Sequence, residues 1–202
     1  MATKILFLTC SPRAEGNTNC VVRWAADGAV DAGAEVEIAD AANLKYKANG
    51  CTSCMGCQKS DQFRCVIKDE ASELVARVPD FDVLVFATPV YWFNMTAQMK
   101  MILDRMYSLV KMGAGENEVR HAFTGMSLGL IATAGGGPDA GLNQVDELCK
   151  DIAHFFMDER YDSMLVPFCD PPEETVQDGD LKERAIEYGR RLAAHTGDHE
   201  RP

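Results

Sequence analysis

The chain predicts an α/β fold in which helices wind over both faces of a parallel sheet. Two observations carry this. Lys4–Thr9, KILFLT, is apolar almost without polar alternation, the pattern of a strand covered on both faces. Apolar strand-like runs then alternate with helix-period runs to the end of the chain, which builds a parallel sheet through helical crossovers. A third observation locates function. Residues 10–19, 88–96 and 133–139 follow three of the strands and have unusual composition. Ligands of such sheets sit at the carboxyl ends of the strands, so all three segments are expected at one edge.

The elements follow in order. After the first strand a polar loop opens the helical run VVRWAADGAVDAG, and AEVEIADA, residues 34–41, reads as the second strand. Residues 42–68 are irregular and hold four cysteines, an insertion after that strand. DEASELVARV suits a short helix, PDFDVLVFATPVYWF a third strand running into a loop, and TAQMKMILDRMYSLV a helix. FTGMSLGLIATAGGGP reads as a fourth strand ending in a glycine loop, and LNQVDELCKDIAHFFM as a long amphipathic helix. RYDSMLVPF completes five strands, residues 180–195 form a last helix, and residues 195–202 a frayed tail. At 202 residues the expectation is one domain spanning 1–202.

Composition narrows the class of partner. With 47% hydrophobic and 25% charged residues the chain reads as a globular protein. A net charge of −11 disfavours nucleic acid and anionic membrane surfaces, which need a basic face. The apolar run ILFLTC is too short for a signal-peptide core, and no stretch reaches the length of a membrane-spanning helix. The expected location is therefore the cytoplasm, where eight cysteines suggest metal ligation or catalysis before disulfides.

The first loop, SPRAEGNT, offers Ser11, Arg13, Asn17 and Thr18 with Gly16, just before a helix. Hydroxyls, backbone N–H groups, a helix N-terminus and a guanidinium make an anion cradle suited to phosphate. The chain has neither a GKT/GKS loop nor GxGxxG there, so neither a Walker loop nor a dinucleotide fingerprint is present. Alternatively Asn17, Thr18 or Asn19 is simply a helix cap and Arg13 a solvated charge. The second loop places Tyr91, Trp92 and Phe93 in succession after Pro89 and Val90. Three adjacent aromatics cannot all enter one core layer, so some face a flat ligand or a subunit interface. The third loop contributes Gly135, Gly136 and Gly137, which allow positive φ and close backbone approach. Together the loops describe a site for a phosphorylated planar cofactor, flavin mononucleotide (FMN).

SPRAEGNT, TPVYWFNMTAQMKMILDR and TAGGG resemble the three cofactor loops of the NAD(P)H-dependent FMN reductase family, within the flavodoxin-like fold. The resemblance implies a five-stranded parallel sheet, with the FMN phosphate at Ser11, Arg13, Asn17 and Thr18. It also implies an isoalloxazine ring lined by Pro89, Val90, Tyr91, Trp92 and Phe93 and closed by Gly135–Gly137. NAD(P)H would then be the electron donor, its nicotinamide stacking near Trp92, and a small molecule or second protein the acceptor.

Cys51, Cys54, Cys57 and Cys65 form C-x2-C-x2-C-x7-C. Thiols at every third residue can wrap one inorganic core, a spacing closer to cluster-binding ferredoxin runs than to the paired C-x2-C of zinc sites. Zinc, free thiols and a redox disulfide remain alternatives. The motif is similar to that of the iron–sulfur flavoproteins, which implies a [4Fe–4S] cluster and a homo-oligomer, dimer or tetramer, acting in electron transfer. Cys10, Cys20, Cys149 and Cys169 read as small buried hydrophobes. His121, His154, His195 and His199 stand in no catalytic spacing, Asp104 and Arg105 read as structural or interfacial, and Met95, Met99, Met101, Met106 and Met112 as core or oligomer contacts.

Overall fold

The computed structural model describes residues 2–113, 119–169 and 171–195. Five strands, β1 (Lys4–Thr9), β2 (Glu35–Asp40), β3 (Val83–Pro89), β6 (Ser127–Thr133) and β7 (Tyr161–Val166), pair in the order β2-β1-β3-β6-β7, all parallel. This is the expected sheet. The chain order reverses direction at β1, so the loops after β1 and β3 flank the switch point where open α/β sheets bind ligands.

Alternation along the central strands divides the core into two layers. Ile5 and Phe7 of β1 with Val83, Val85 and Ala87 of β3 pack beneath α1 (Asn17–Asp31) and α6 (Gly179–Ala193). Leu6 and Leu8 with Leu84, Phe86, Leu128 and Leu130 pack beneath α2 (Glu70–Arg77), α3 (Ala97–Arg105) and α4 (Leu142–Phe156). Helices α1 and α6 touch backbone to backbone: a Cβ on Gly28 would lie 2.1 Å from the Ile186 carbonyl oxygen, and one on Gly189 1.8 Å from that of Ala25.

Several boundaries differ from expectation. Helix α1 begins at Asn17, within the polar loop, and its cap is Gly16 without a side-chain cap bond, so Asn17, Thr18 and Asn19 are helical residues rather than the N-cap. The long helix expected to Val110 stops at Arg105 and continues as one 3₁₀ turn, Met106–Leu109. There the chain enters an antiparallel hairpin of β4 (Val110–Met112) and β5 (Val119–His121), which sequence did not announce because its strands are only three residues long. A short α5 (Pro172–Thr175) precedes α6. Cys10, Cys20 and Cys149 are buried, and burial raises each thiol, that of Cys149 to about 12, while Cys169 is only half-buried. Of the methionines, Met99 and Met106 enter the core and Met112 is exposed. His121 meets the Phe156 ring edge to face at 5.5 Å, and His154 Nδ1 lies 3.0 Å from Glu159 Oε1. His199 and the expected frayed tail beyond His195 lie outside the described residues. No helix among the described residues is long and apolar enough to cross a membrane.

Candidate functional site

The three loops meet at the carboxyl edge of the sheet, and threonines hold them together. Thr96 is the hub. As N-cap of α3 its Oγ1 accepts from Met99 N–H at 3.2 Å, donates to the Cys10 carbonyl at the end of β1 (2.8 Å), and lies 3.3 Å from Thr88 Oγ1 at the end of β3. Thr18 Oγ1 and Thr133 Oγ1 pair at 2.7 Å, joining α1 to the end of β6. Val90 N–H donates to the Thr133 carbonyl at 2.7 Å, continuing the β3–β6 ladder into the loops. Sequence reading missed Thr88, Thr96 and Thr133 as organisers; the signal available was a threonine in the closing residues of β3 and β6 and another directly before the helix that follows β3.

In the first loop Ser11 is buried, and its Oγ accepts from Arg13 N–H at 3.3 Å, holding a tight turn that Asn19 Nδ2 staples through the carbonyls of Arg13 and Ala14. Arg13 is exposed and forms no ion pair among the described residues. No acidic residue stands in the first turn of α1, leaving its N-terminus favourable to an anion. Asn17 is half-buried. Thr18 is buried and its hydroxyl pairs with that of Thr133, while its backbone N–H lies in the first turn of α1.

The second loop is a two-residue reverse turn. Tyr91 N–H donates to the Asn94 carbonyl (2.8 Å) and Asn94 N–H to that of Tyr91 (3.1 Å), which puts Trp92 and Phe93 at the turn positions with φ of 48° and 63°. Left-handed backbone at both positions is the demand that usually selects Asn-Gly. Bulky residues held there store roughly 1–3 kcal/mol each, a strain found where a site needs it. Trp92 is 93% exposed and Phe93 60%, ring edge to ring face at 6.2 Å, with Tyr91 also exposed and Pro89 and Val90 half-buried. The aromatics are thus presented outward, away from the core.

In the third loop Gly135–Gly137 do not adopt positive φ, contrary to expectation. Their lack of side chains serves space instead. A Cβ on Gly136 would lie 2.9 Å from Ala140 Cβ and one on Gly137 3.1 Å from Phe168 Cζ, while Gly135 faces open space. The positive φ belongs to Gly141, at 118°, where a Cβ would lie 2.6 Å from the Phe93 carbonyl carbon. Gly141 thereby lets the start of α4 press against the second loop. Phe168, just past β7, is a member of this edge that sequence reading missed. Its N–H donates to the Gly136 carbonyl at 3.1 Å, its φ is 54°, and its ring is 68% exposed beside the glycines. A free guanidinium, a helix N-terminus, exposed rings and an uncrowded glycine suit a ligand with one anionic and one flat part, as FMN has.

The cysteine insertion lies at another place. Cys51, Cys54, Cys57 and Cys65 all line one concavity, with Ile67, Arg105, Tyr107 and Ser108. Its free space is about 20 Å³, room for about one water molecule, so a four-iron core enters only if the loop moves outward. As they stand, no three such side chains among the described residues are disposed to hold a metal ion. The donor chemistry nevertheless suits a soft metal group. Ser53 N–H donates to Cys51 Sγ at 3.4 Å, and the Gly56 N–H and Thr52 hydroxyl bond the Cys54 thiol and lower its pKa. Ser53 and Met55, between the cysteines, are left-handed at φ 56° and 54°.

The insertion is strapped from below by buried charge. Arg105 donates to both carboxylate oxygens of Asp69, at 2.7 and 3.3 Å, and to the carbonyls of Gly50 and Ile67, which bracket the cysteine run. Burial acts to raise the Asp69 carboxyl, but N–H bonds from Lys47 and Ser72 together with Arg105 outweigh it and hold the pKa below the usual carboxylate range. Asp69 also caps α2 through a capping box with Ser72. Lys111 of β4, buried, donates to the carbonyls of Cys57 (2.5 Å) and Gln62 (2.6 Å). Asp104 is paired on the surface with Lys100.

Known proteins place this arrangement. The chain is 32% identical over 102 residues to an iron–sulfur flavoprotein of Methanocaldococcus jannaschii, covering 50% of this chain and 51% of the relative. It is 38% identical over 96 residues to an iron–sulfur flavoprotein of Archaeoglobus fulgidus, covering 48% and 42%. The matched segment thus spans about half the length of these curated relatives. The solved NAD(P)H:quinone oxidoreductase of Methanothermobacter marburgensis superposes with a TM-score of 0.72 at 16% identity, over 98% of this chain and all of that one, a likeness of fold. The family model for NADPH-dependent FMN reductases matches residues 3–160, a span that takes in all three loops of the sheet edge and the cysteine insertion. A match over so much of the fold, strand ends included, makes this chain a member of the NADPH-dependent FMN reductase family.

Proposed function

We propose that the protein is an FMN-dependent oxidoreductase that takes electrons from NAD(P)H and passes them to a small-molecule or protein acceptor. The observation that carries the reading is the meeting of three loops at the carboxyl edge of the sheet, one with an arginine that forms no ion pair among the described residues and another with its aromatics turned out of the core. Arg13, the Ser11 turn and the first-turn N–H groups of Asn17 and Thr18 would hold the phosphate. Pro89, Val90, Tyr91, Trp92 and Phe93 would cover the ring, with Gly135–Gly137 admitting the backbone to its edge and Phe168 flanking them. FMN, when bound, supplies exchange between two-electron and one-electron donors and acceptors. The chain's part is to orient the ring, leave one face open for the nicotinamide, and aim N–H groups where negative charge grows. Histidine is not needed as an acid or base for this.

The test is retention of flavin. Protein purified without oxygen should show the absorption bands of FMN, and Arg13→Ala should lose FMN affinity far more than thermal stability. Equal affinity in the variant would overturn the phosphate assignment.

A second element is carried by the convergence of four thiols on one concavity and by the names of the curated relatives. We infer that Cys51, Cys54, Cys57 and Cys65 hold an iron–sulfur cluster of the [4Fe–4S] type, the loop opening to admit it. Cys54→Ala should then abolish iron and acid-labile sulfide while leaving FMN bound; unchanged iron would remove the cluster reading. A homo-oligomer, dimer or tetramer, suits the exposed Trp92, and a monomer by sedimentation would count against it.

A further inference from the structure

The cysteine concavity has a polar wall. Ser108, 2% exposed, and Arg105, 1%, reach it from the end of α3 and the 3₁₀ turn that follows. Ser108 Oγ is buried and makes no hydrogen bond among the described residues. Arg105 Nε is likewise without an acceptor, although both of its terminal nitrogens are engaged by Asp69 and by the carbonyls of Gly50 and Ile67. A buried donor left unmade costs about 1–3 kcal/mol, more when charged. Both belong to residues that line the one concavity, where an acceptor would satisfy them.

Charge agrees with this. Lys111 sits behind Cys57 with its ammonium on two carbonyls, and it pairs with no carboxylate among the described residues. A buried cation without a counter-ion is strongly unfavourable, and thiolates around a metal group would supply the missing negative charge. Two residues with idle donors thus line the same concavity as the thiols, and a buried ammonium lies behind Cys57. A lone divalent ion would offer those donors only its thiolate ligands, whereas a cluster presents inorganic sulfur on several faces.

We propose that Ser108 Oγ–H and Arg105 Nε–H donate hydrogen bonds to sulfur atoms of an iron–sulfur cluster held by Cys51, Cys54, Cys57 and Cys65, and so raise its reduction potential. The proposal rests on the cluster reading above. Reduction adds one electron and no proton, so both donors keep their hydrogens and bond more strongly to sulfur that has become more negative. Thr96 caps α3 at the candidate flavin edge and Arg105 ends it at the concavity, about 13 Å further along at 1.5 Å per residue. One helix thus runs from one site to the other.

The experiment compares the full chain with Ser108→Ala and Ser108→Thr after anaerobic reconstitution with ferrous iron and sulfide. Iron and sulfide per chain are measured first, then the midpoint potential by redox titration, and the melting temperature of each metal-free protein. Ser108→Ala should load as the parent does, with the reduced-to-oxidised ratio at a given potential lowered about tenfold, equivalent to about 59 mV for one electron. Ser108→Thr, which keeps the hydroxyl, should restore the parent value. The metal-free Ser108→Ala should melt no lower than the parent, since its lost hydroxyl had no partner. Normal loading with an unchanged potential would overturn the donor assignment and leave the cluster reading intact. A lower melting temperature of metal-free Ser108→Ala would also overturn it, by showing the hydroxyl already bonded. A parent that retains no sulfide, or only zinc, would overturn the cluster reading and the donor assignment with it.

Discussion

The sheet edge and the cysteine insertion are assembled by different forces. At the edge, backbone pairing between β1, β3 and β6 sets the loops side by side, and short hydroxyl bonds from Thr88, Thr96, Thr18 and Thr133 finish the work. The residues offered to a ligand there, Arg13 and Trp92 above all, are exposed and carry little of the fold. In the insertion the reverse holds. No sheet runs through residues 41–69, and its placement depends on Arg105 and Lys111 donating to its carbonyls and on Asp69 accepting from the Lys47 N–H. Ligand-facing and structural roles are separable at the edge and fused in the insertion.

The largest effect expected from that contrast is in Arg105→Ala. Removing one partner of a buried, bidentate pair leaves Asp69 uncompensated and should cost about 3–5 kcal/mol, read by denaturant unfolding. Arg13→Ala should stay within about 0.5 kcal/mol of the parent in the same assay, as an exposed residue does. If the two variants unfold alike, the contrast fails.

A smaller effect, of opposite sign, is expected at the aromatic turn. Replacing Trp92 by Gly removes a left-handed backbone penalty of roughly 1–2 kcal/mol and gives up little burial, so stability should rise while FMN affinity falls. A Trp92→Gly protein that loses stability would mean the ring packs on the fold and is no ligand-facing residue.

Acid provides a third probe. The folded-state pKa of Asp69 lies below its unfolded value, so the stability it contributes is present above the ordinary carboxylate value of about 3.9 and is lost as pH falls through the folded value. The stability gap between parent and Asp69→Asn should therefore be full near neutrality and close below about pH 4. A gap that stays constant through that range would assign the role of Asp69 to its capping geometry alone.

The smallest effect is a rate. With its thiol lowered by the Gly56 N–H and the Thr52 hydroxyl, Cys54 should be alkylated before Cys10, Cys20 and Cys149, whose thiols burial raises. Peptide mapping after brief iodoacetamide treatment checks the order. Loading the cysteines with metal should abolish the labelling of Cys54 and leave that of the half-buried Cys169 unaffected.

Much of the sheet edge was legible before any coordinates, because its determinants are local. An unbroken apolar run such as Lys4–Thr9 has nowhere to go but between two layers, and Ser, Arg, Gly and Asn after it announce a loop and a helix start. The turn at Trp92 and Phe93 was not legible, since the Tyr91–Asn94 pairing and the close approach of Gly141 to Phe93 hold a backbone that neither residue prefers. The hairpin of β4 and β5 escaped for want of length. In the glycine loop the residues were right and the reason was not: space, and not positive φ, explains Gly136 and Gly137.

By itself the sequence determined the layer order of strand and helix, the position of three loops beyond strand ends, and four cysteines close enough to share one core. Each follows from periodicity or spacing, which the chain carries along its length. Only tertiary structure decided that Arg105 meets Asp69, 36 residues away, and that Ser108, its hydroxyl idle, lines the same concavity as the thiols. Such pairings are made by the sheet's topology, which brings distant segments together and excludes the water that would otherwise have satisfied them.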